Sequence, residues 1–487
     1  MKLHQTPIHR LHQMRLAGEV STVEIAQAVL NRLADTEPQL GAFLQQTEPQ
    51  AVLAAAQAAD QNLQKKQTLG MFAGMPISIK DIFNQIGTNT TCGSRYLEHY
   101  QSPYDATVVT RLKEAGCNLV GKTNMDEFAM GISTETSALK LTKNPWNLAH
   151  VPGGSSGGSA ASVAAGQALA SIGTDTGGSI RQPAGYCGIV GIKPSYGRVS
   201  RWGMVAYASS LDQAGPMTRD VEDAAHLLQA IWGHDPKDAT SLRAPLPDLA
   251  QALHKDIKGM KVGIIKDLDL NSCSPEVQST FQANLKTLTV LGAELVEVSL
   301  PNLKHAIATY YIIAPSEASS NLGRYDGIRY GLRSSEAANL SEVYQKSREA
   351  GLGSEVKLRI LIGTFALSAG YYDAYYIKAQ KVQNLIRAQY ANAFSQVDVI
   401  ATPVAPTPAF KFGEASADPL QMYLADAFTC PVNLAGLPGI SVPGGFTAQG
   451  LPLGLQLIGG YLQEQKLIQA AHALETALAL TPPPLAL

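Results

Sequence analysis

Residues 152–188 read PGGSSGGSAASVAAGQALASIGTDTGGSIRQPAGYCG: two runs of glycine and small hydroxyl residues, 153–159 and 174–179, around an alanine-rich segment. Glycine this dense costs backbone entropy, and it is kept where a chain must turn sharply or approach another group closely. Hydroxyls among such glycines suit a nucleophile with backbone N–H groups aimed at it, the arrangement that holds a tetrahedral oxyanion. Two flexible linkers are the plainer alternative, but Gly/Ser linkers are not normally joined to apolar helical and strand segments. The segment Ala160 to Ala170 has the small-residue composition of a tightly packed helix.

The surrounding chain is that of a large folded protein. Its 487 residues are 45% hydrophobic and 16% charged, which excludes disorder and allows a sizeable core. A formal charge of -2 supplies no basic field for a phosphate backbone, so any nucleic acid is expected to be held by a partner. Cys92, Cys117, Cys187, Cys273 and Cys430 form no CxxC pair and no metal-ligand spacing, as expected of buried thiols in a reducing compartment. The N-terminus lacks a secretory apolar run, and no stretch is apolar enough to span a bilayer. A cytoplasmic protein without membrane contact is expected.

Strand and helix signals alternate. Ser21-Thr22-Val23-Glu24 is a capping box opening a helix through about Leu33, and a second helix is expected from Ala51 to about Lys65. A short strand, Ile77 to Ile79, ends in Lys80. A lysine closing a buried strand would lose basicity by desolvation and become available as a base; a lysine capping a strand at the surface is the equal alternative. Further strands are expected at 117–120, 189–193, 261–265, 397–402, 439–443 and 454–458. Helices are expected at 105–116, 220–232, 274–291 and 464–478, and a polar, aromatic helical region over 309–376. The alternation predicts a mixed sheet between helical layers. No internal repeat or clear linker appears, so one domain over 1–487 is expected, with a helical segment at 1–66 and a loose tail at 479–487.

Two motifs compete for the chemistry. Gly116 to Thr123, GCNLVGKT, satisfies the pattern of a phosphate-binding loop, which would make Lys122 a nucleotide ligand. That loop must follow a strand and open a helix; here a helix precedes it, and Asn-Leu-Val reads as the strand itself. The pattern G-x-S-x-G fits at Ser155 and at Ser156, but the hydrolase elbow it marks needs an acid and then a histidine downstream. His226 and His472 look helical, and His234, His254 and His305 lie in no motif. Serine–lysine pairs are an accepted alternative, and Lys80 is then the natural base. A non-catalytic scaffold would explain the fold, but not these catalytic residue types together.

Lys80 in GMPISIKD, Ser155 in PGGSSGGSAA and Ser179 in GTDTGGSIRQPAG resemble the amidase signature family, over essentially the whole chain. The resemblance implies an α/β fold with a large mixed β-sheet covered on both faces by helices, and a catalytic core over 72–215. It implies Ser179 as nucleophile, Ser155 as a bridging serine in a cis peptide, Lys80 as base, and the backbone N–H groups of Thr176, Gly177, Gly178 and Ser179 as oxyanion donors. Arg359 and Asp426 match the positions that hold the α-carboxylate and α-ammonium of free glutamine in the family's amidotransferase branch, and Tyr310 a further glutamine-site tyrosine. That branch implies hydrolysis of glutamine to supply ammonia for amidating Glu-tRNA(Gln) or Asp-tRNA(Asn). It also implies a heterotrimer: a B subunit that binds the tRNA and uses ATP and Mg²⁺, and a small C subunit. No metal or cofactor is expected in this chain. A stand-alone amidase acting on a small carboxamide is the alternative within the family.

Overall fold

A computed structural model describes residues 2–65, 69–414 and 424–487. Its centre is one mixed sheet of eleven strands among the described residues. In chain order these are β1 Phe43–Gln46, β2 Pro76–Lys80, β3 Asn118–Thr123, β4 Ala170–Asp175, β5 Val190–Lys193 and β6 Gln213–Thr218, then β7 Lys261–Ile265, β8 Glu294–Val298, β9 Val399–Pro403, β10 Gly439–Phe446 and β11 Pro452–Gly459. Across the sheet they lie in the order β1-β3-β2-β4-β6-β5-β10-β11-β9-β7-β8. β2 runs parallel to both β3 and β4, and β7 parallel to β8 and β9; the remaining pairings are antiparallel. Every residue of β2, β4, β5, β6 and β9 is buried. Because successive side chains point to opposite faces, burial of both sets requires helices on both sides of the sheet.

Local signals place the helices well. Ser21 and Glu24 form both arms of the capping box of helix Thr22–Leu40, which runs on past Leu33 and through Pro38 until Gly41 turns left-handed. The alanine-rich segment is helical over Gly157–Ala165 and stops at Gly166, so Ala170 opens β4 instead of ending the helix. β1, β4, β6 and β8 are strands that the pattern of residues did not announce. β6, QAGPMT, contains glycine and proline, which argue against an interior strand; its place between β4 and β5 overrides that preference.

The Gly121-Lys122-Thr123 pattern makes no loop. All of Asn118–Thr123 is buried strand, and Lys122 Nζ lies 2.8 Å from Asp81 Oδ1. At the C-terminus, Ala486 N–H donates to the Pro145 carbonyl (2.9 Å) and Leu487 packs against the cluster containing Leu30 and Phe43. The expected loose tail is therefore tied down at its end. Among the described residues, no helix is long and apolar enough to cross a membrane.

Candidate active site

Strand β2, between β3 and β4, ends at Lys80, whose side chain is 0% exposed. Its Nζ donates to Ser155 Oγ (2.7 Å), Ser156 Oγ (2.9 Å) and Thr174 Oγ1 (2.9 Å), and it makes no ion pair within 4.0 Å among the described residues. Burial without a contacting carboxylate pulls the amine down to about 7. At neutral pH about half of such a lysine is uncharged, against roughly one in three thousand for an ordinary one. Ser156 Oγ donates to the Thr174 carbonyl (3.1 Å), so its own proton is committed and it can only accept from Nζ. The Ser155 hydroxyl has no such commitment and is free to offer its proton to the amine.

The two glycine runs meet at this lysine. The Gly154–Ser155 peptide is cis, and Ser156 N–H donates to the Ser179 carbonyl (3.2 Å). Behind the second run, Asp175 is held by Arg181 Nε and Nη2 (both 3.0 Å) and Asn433 Nδ2 (2.8 Å). Burial alone would raise Asp175, yet Arg181 holds it down at about 2. Ser179 is 8% exposed while Lys80 and Ser155 are fully buried. The serine expected as nucleophile is therefore buried as well, and is the one member of the three with any exposure. No hydrogen bond of Ser179 Oγ to Ser155 is formed among the described residues, and unliganded catalytic geometry often tightens only with substrate.

The expected oxyanion donors divide. Gly178 N–H donates to Asp175 Oδ1 (2.9 Å), so it is spent on the clamp and is not available to a substrate. The N–H groups of Thr176, Gly177 and Ser179 carry no such bond among the described residues. Glycine is needed at 177 and 178 for space: a Cβ would come within 2.6 Å of Tyr310 at the first and 2.3 Å of Thr429 Oγ1 at the second, where φ is +142°.

The residues expected to grip glutamine gather beside this loop. Arg359 is buried, with Nε donating to Glu355 Oε1 (2.7 Å) and Nη1 to the Tyr207 hydroxyl (2.7 Å). Its guanidinium lies over the rings of Tyr207 and Tyr311, and its Nη2 has no hydrogen-bond partner among the described residues. Asp426 accepts from the Tyr311 hydroxyl (3.2 Å); burial lifts its carboxyl to about 7 against the pull of Arg359. Tyr310 sits at Gly177 and its ring meets that of Tyr311 edge-on at 5.1 Å. Thr429 Oγ1 ties the two halves by donating to the Gly177 carbonyl (2.7 Å). A free guanidinium nitrogen and a buried carboxyl on either side of tyrosines suit an α-amino acid, whose two charged groups they complement.

Ser156 and Thr174 lie inside the motif and could have been read as lysine partners from their position. Tyr207, Tyr311, Glu355 and Thr429 carry no local signal; only the fold brings them to the site.

Comparison with known proteins places the chain in a class. The family model described as Amidase matches residues 24–468, and the chain belongs to the amidase signature family. Among curated proteins, the A subunit of glutamyl-tRNA(Gln) amidotransferase from Thermosynechococcus vestitus is 57% identical over 96% of this chain and 97% of its own. The protein of the same name from Geobacter metallireducens is 53% identical over 98% of both chains. The crystal structure of the A subunit of glutamyl-tRNA(Gln) amidotransferase from Thermotoga maritima superposes with a TM-score of 0.81 at 42% identity, covering 98% of this chain and 95% of that one.

Proposed function

We propose that this chain is the glutamine-hydrolysing subunit of a tRNA-dependent amidotransferase, releasing ammonia to convert Glu-tRNA(Gln), Asp-tRNA(Asn) or both to the amidated form. The observation that carries the reading is a buried lysine at about 7 hydrogen-bonded to Ser155 (2.7 Å), with Arg359 and Asp426 gathered by Tyr207 and Tyr311 beside the Gly177 loop. Near-full-length likeness to proteins named for that reaction supports it.

In this reading Ser179 turns toward Ser155 as the carboxamide arrives and passes its proton through Ser155 to neutral Lys80. Its oxygen attacks the amide carbon, and the N–H groups of Thr176, Gly177 and Ser179 receive the oxyanion, each worth about 2.7–4 kcal/mol. The proton returns through Ser155 to the departing nitrogen, and ammonia leaves. Water then attacks the acyl-enzyme by the same relay, giving glutamate. The Nη2 of Arg359 binds the α-carboxylate, and Asp426, ionised by the approach of a cation, binds the α-ammonium.

The chain works beside a B and a C subunit. The tRNA is held mainly by the B subunit, where ATP and Mg²⁺ activate the acceptor carboxylate; ammonia passes to it through the complex in the cytoplasm. Ammonia release by the isolated chain and by the assembled complex, on glutamine and on a small neutral amide, tests this. Low activity alone, a rise on assembly and a preference for glutamine are expected. Full turnover of the neutral amide by the isolated chain, without glutamine preference, would instead make it a stand-alone amidase.

A further inference from the structure

A second constellation of reactive groups has no part in the site above. It forms where helices Ile8–Leu16, Val221–Ile231 and Glu464–Leu478 meet the turn that follows Leu249–Ala252. Donor atoms of Glu222, His254 and His472 all lie within 4.8 Å of one another. Glu222 Oε2 stands 3.7 Å from His254 Nε2 and 3.7 Å from His9 Nε2. The His254 and His472 rings meet edge to face at 4.6 Å, and His254 has φ +59°, a left-handed backbone uncommon outside glycine.

The charges around these imidazoles are one-sided. Asp220, Glu222 and Asp223 make ion-pair contacts only with histidines among the described residues. His9 Nδ1 lies 3.1 Å from Asp223 Oδ1. A proton held there for the carboxylate leaves the Nε2 lone pair of a neutral imidazole facing Glu222 Oε2, a repulsive pairing that a second ring proton or a nearby cation relieves.

We propose that Glu222, His254 and His472 bind a transition-metal dication of the zinc class, with His9, held by Asp223, facing the same Glu222 oxygen. Imidazoles with one carboxylate suit zinc and cobalt, whereas calcium and magnesium call for oxygen ligands. Bonds of about 2.0–2.1 Å in a tetrahedron set donors about 3.3 Å apart. The 3.7 Å separation of Glu222 Oε2 and His254 Nε2 therefore needs only a small shift. The wider gap closes by rotation of His254, whose side chain is 70% exposed. Such an ion would pin helix Val221–Ile231 to the C-terminal helix Glu464–Leu478. Sequence spacing is silent here, because the donors come from separate elements.

The test is Zn²⁺ and Co²⁺ titration of the untagged full chain, by calorimetry and by visible absorption of Co²⁺. One ion per chain with a tetrahedral Co²⁺ band is expected. His254→Ala and Glu222→Gln should each weaken binding about 10-fold or more, and in both the metal-induced rise in Tm should vanish. Unchanged circular dichroism and metal-free Tm would show that these variants fold. Absence of stoichiometric binding, equal binding by the variants, or a thiolate-type Co²⁺ spectrum would overturn the proposal. In those cases the cluster is a network of His9 imidazolium ion pairs.

Discussion

Lys80 and Lys193 close two strands of the same sheet, β2 and β5, and burial brings both amines to about 7. What faces them differs. Lys80 meets three hydroxyls; Lys193 donates to the carbonyls of Pro194 and Leu437. A carbonyl can only accept, so the Lys193 lone pair has no proton to take from these partners. A hydroxyl can give as well as accept, which turns the same depressed amine into a base. A lowered lysine pKa therefore marks burial in both places, and in the proposed mechanism the partner atoms make only Lys80 a base. Lys122, on β3 next to Lys80, shows a third outcome: equally buried, it stands 2.8 Å from Asp81 and serves as half of an ion pair.

The largest effect should come from Lys80→Met and Ser179→Ala, each lowering ammonia release from glutamine by about 10⁴-fold or more, because residues of one relay act as a unit. Lys193→Met should stay within about twofold of the parent; a comparable loss there would erase the contrast between the two lysines.

Arg359→Ala and Asp426→Ala should raise the KM for glutamine by about 10- to 100-fold, the worth of a charge-assisted hydrogen bond. Turnover of a small neutral amide should fall much less. Equal losses on both substrates would assign these residues to the fold instead of to recognition.

The pH profile sharpens the comparison further. On a neutral amide, which makes no use of Asp426, kcat/KM should rise with pH as Lys80 loses its proton, with a midpoint near the value of about 7. That limb should persist in Lys193→Met. Its displacement in that variant would mean that the wrong lysine had been chosen.

The smallest effect concerns stability. Both amines titrate near 7 in the folded chain and near the ordinary 10.5 when unfolded. Between those values the unfolded chain binds more protons, so the contribution of each lysine to stability rises with pH across that window. Thermal unfolding of Lys193→Met should show a flatter rise above pH 7, with a net change within about 2 kcal/mol as the loss of two hydrogen bonds offsets the relief of burial. An unaltered pH slope would place the Lys193 amine in its charged form.

Much of the candidate site was legible in residues 152–188 and at Lys80, because glycine, small hydroxyls and a strand-end lysine are local features whose chemistry survives without coordinates. The capping box at Ser21, the helix Glu464–Leu478 and the rejection of the phosphate-loop pattern were legible for the same reason: each depends on neighbours in sequence. The tertiary structure alone decided that β4 and β6 are strands, since pairing in mid-sheet overrides their glycine and proline. It alone committed Gly178 N–H to Asp175, a carboxylate held in place by Arg181 and Asn433. It also brought Tyr207, Tyr311 and Thr429 to Arg359, Asp426 and Gly177 from distant parts of the chain. Residue type and spacing determined which groups can do the chemistry. Their pKa values, free hydrogen-bonding atoms and partners depended on burial and on contacts between remote segments, which no local pattern encodes.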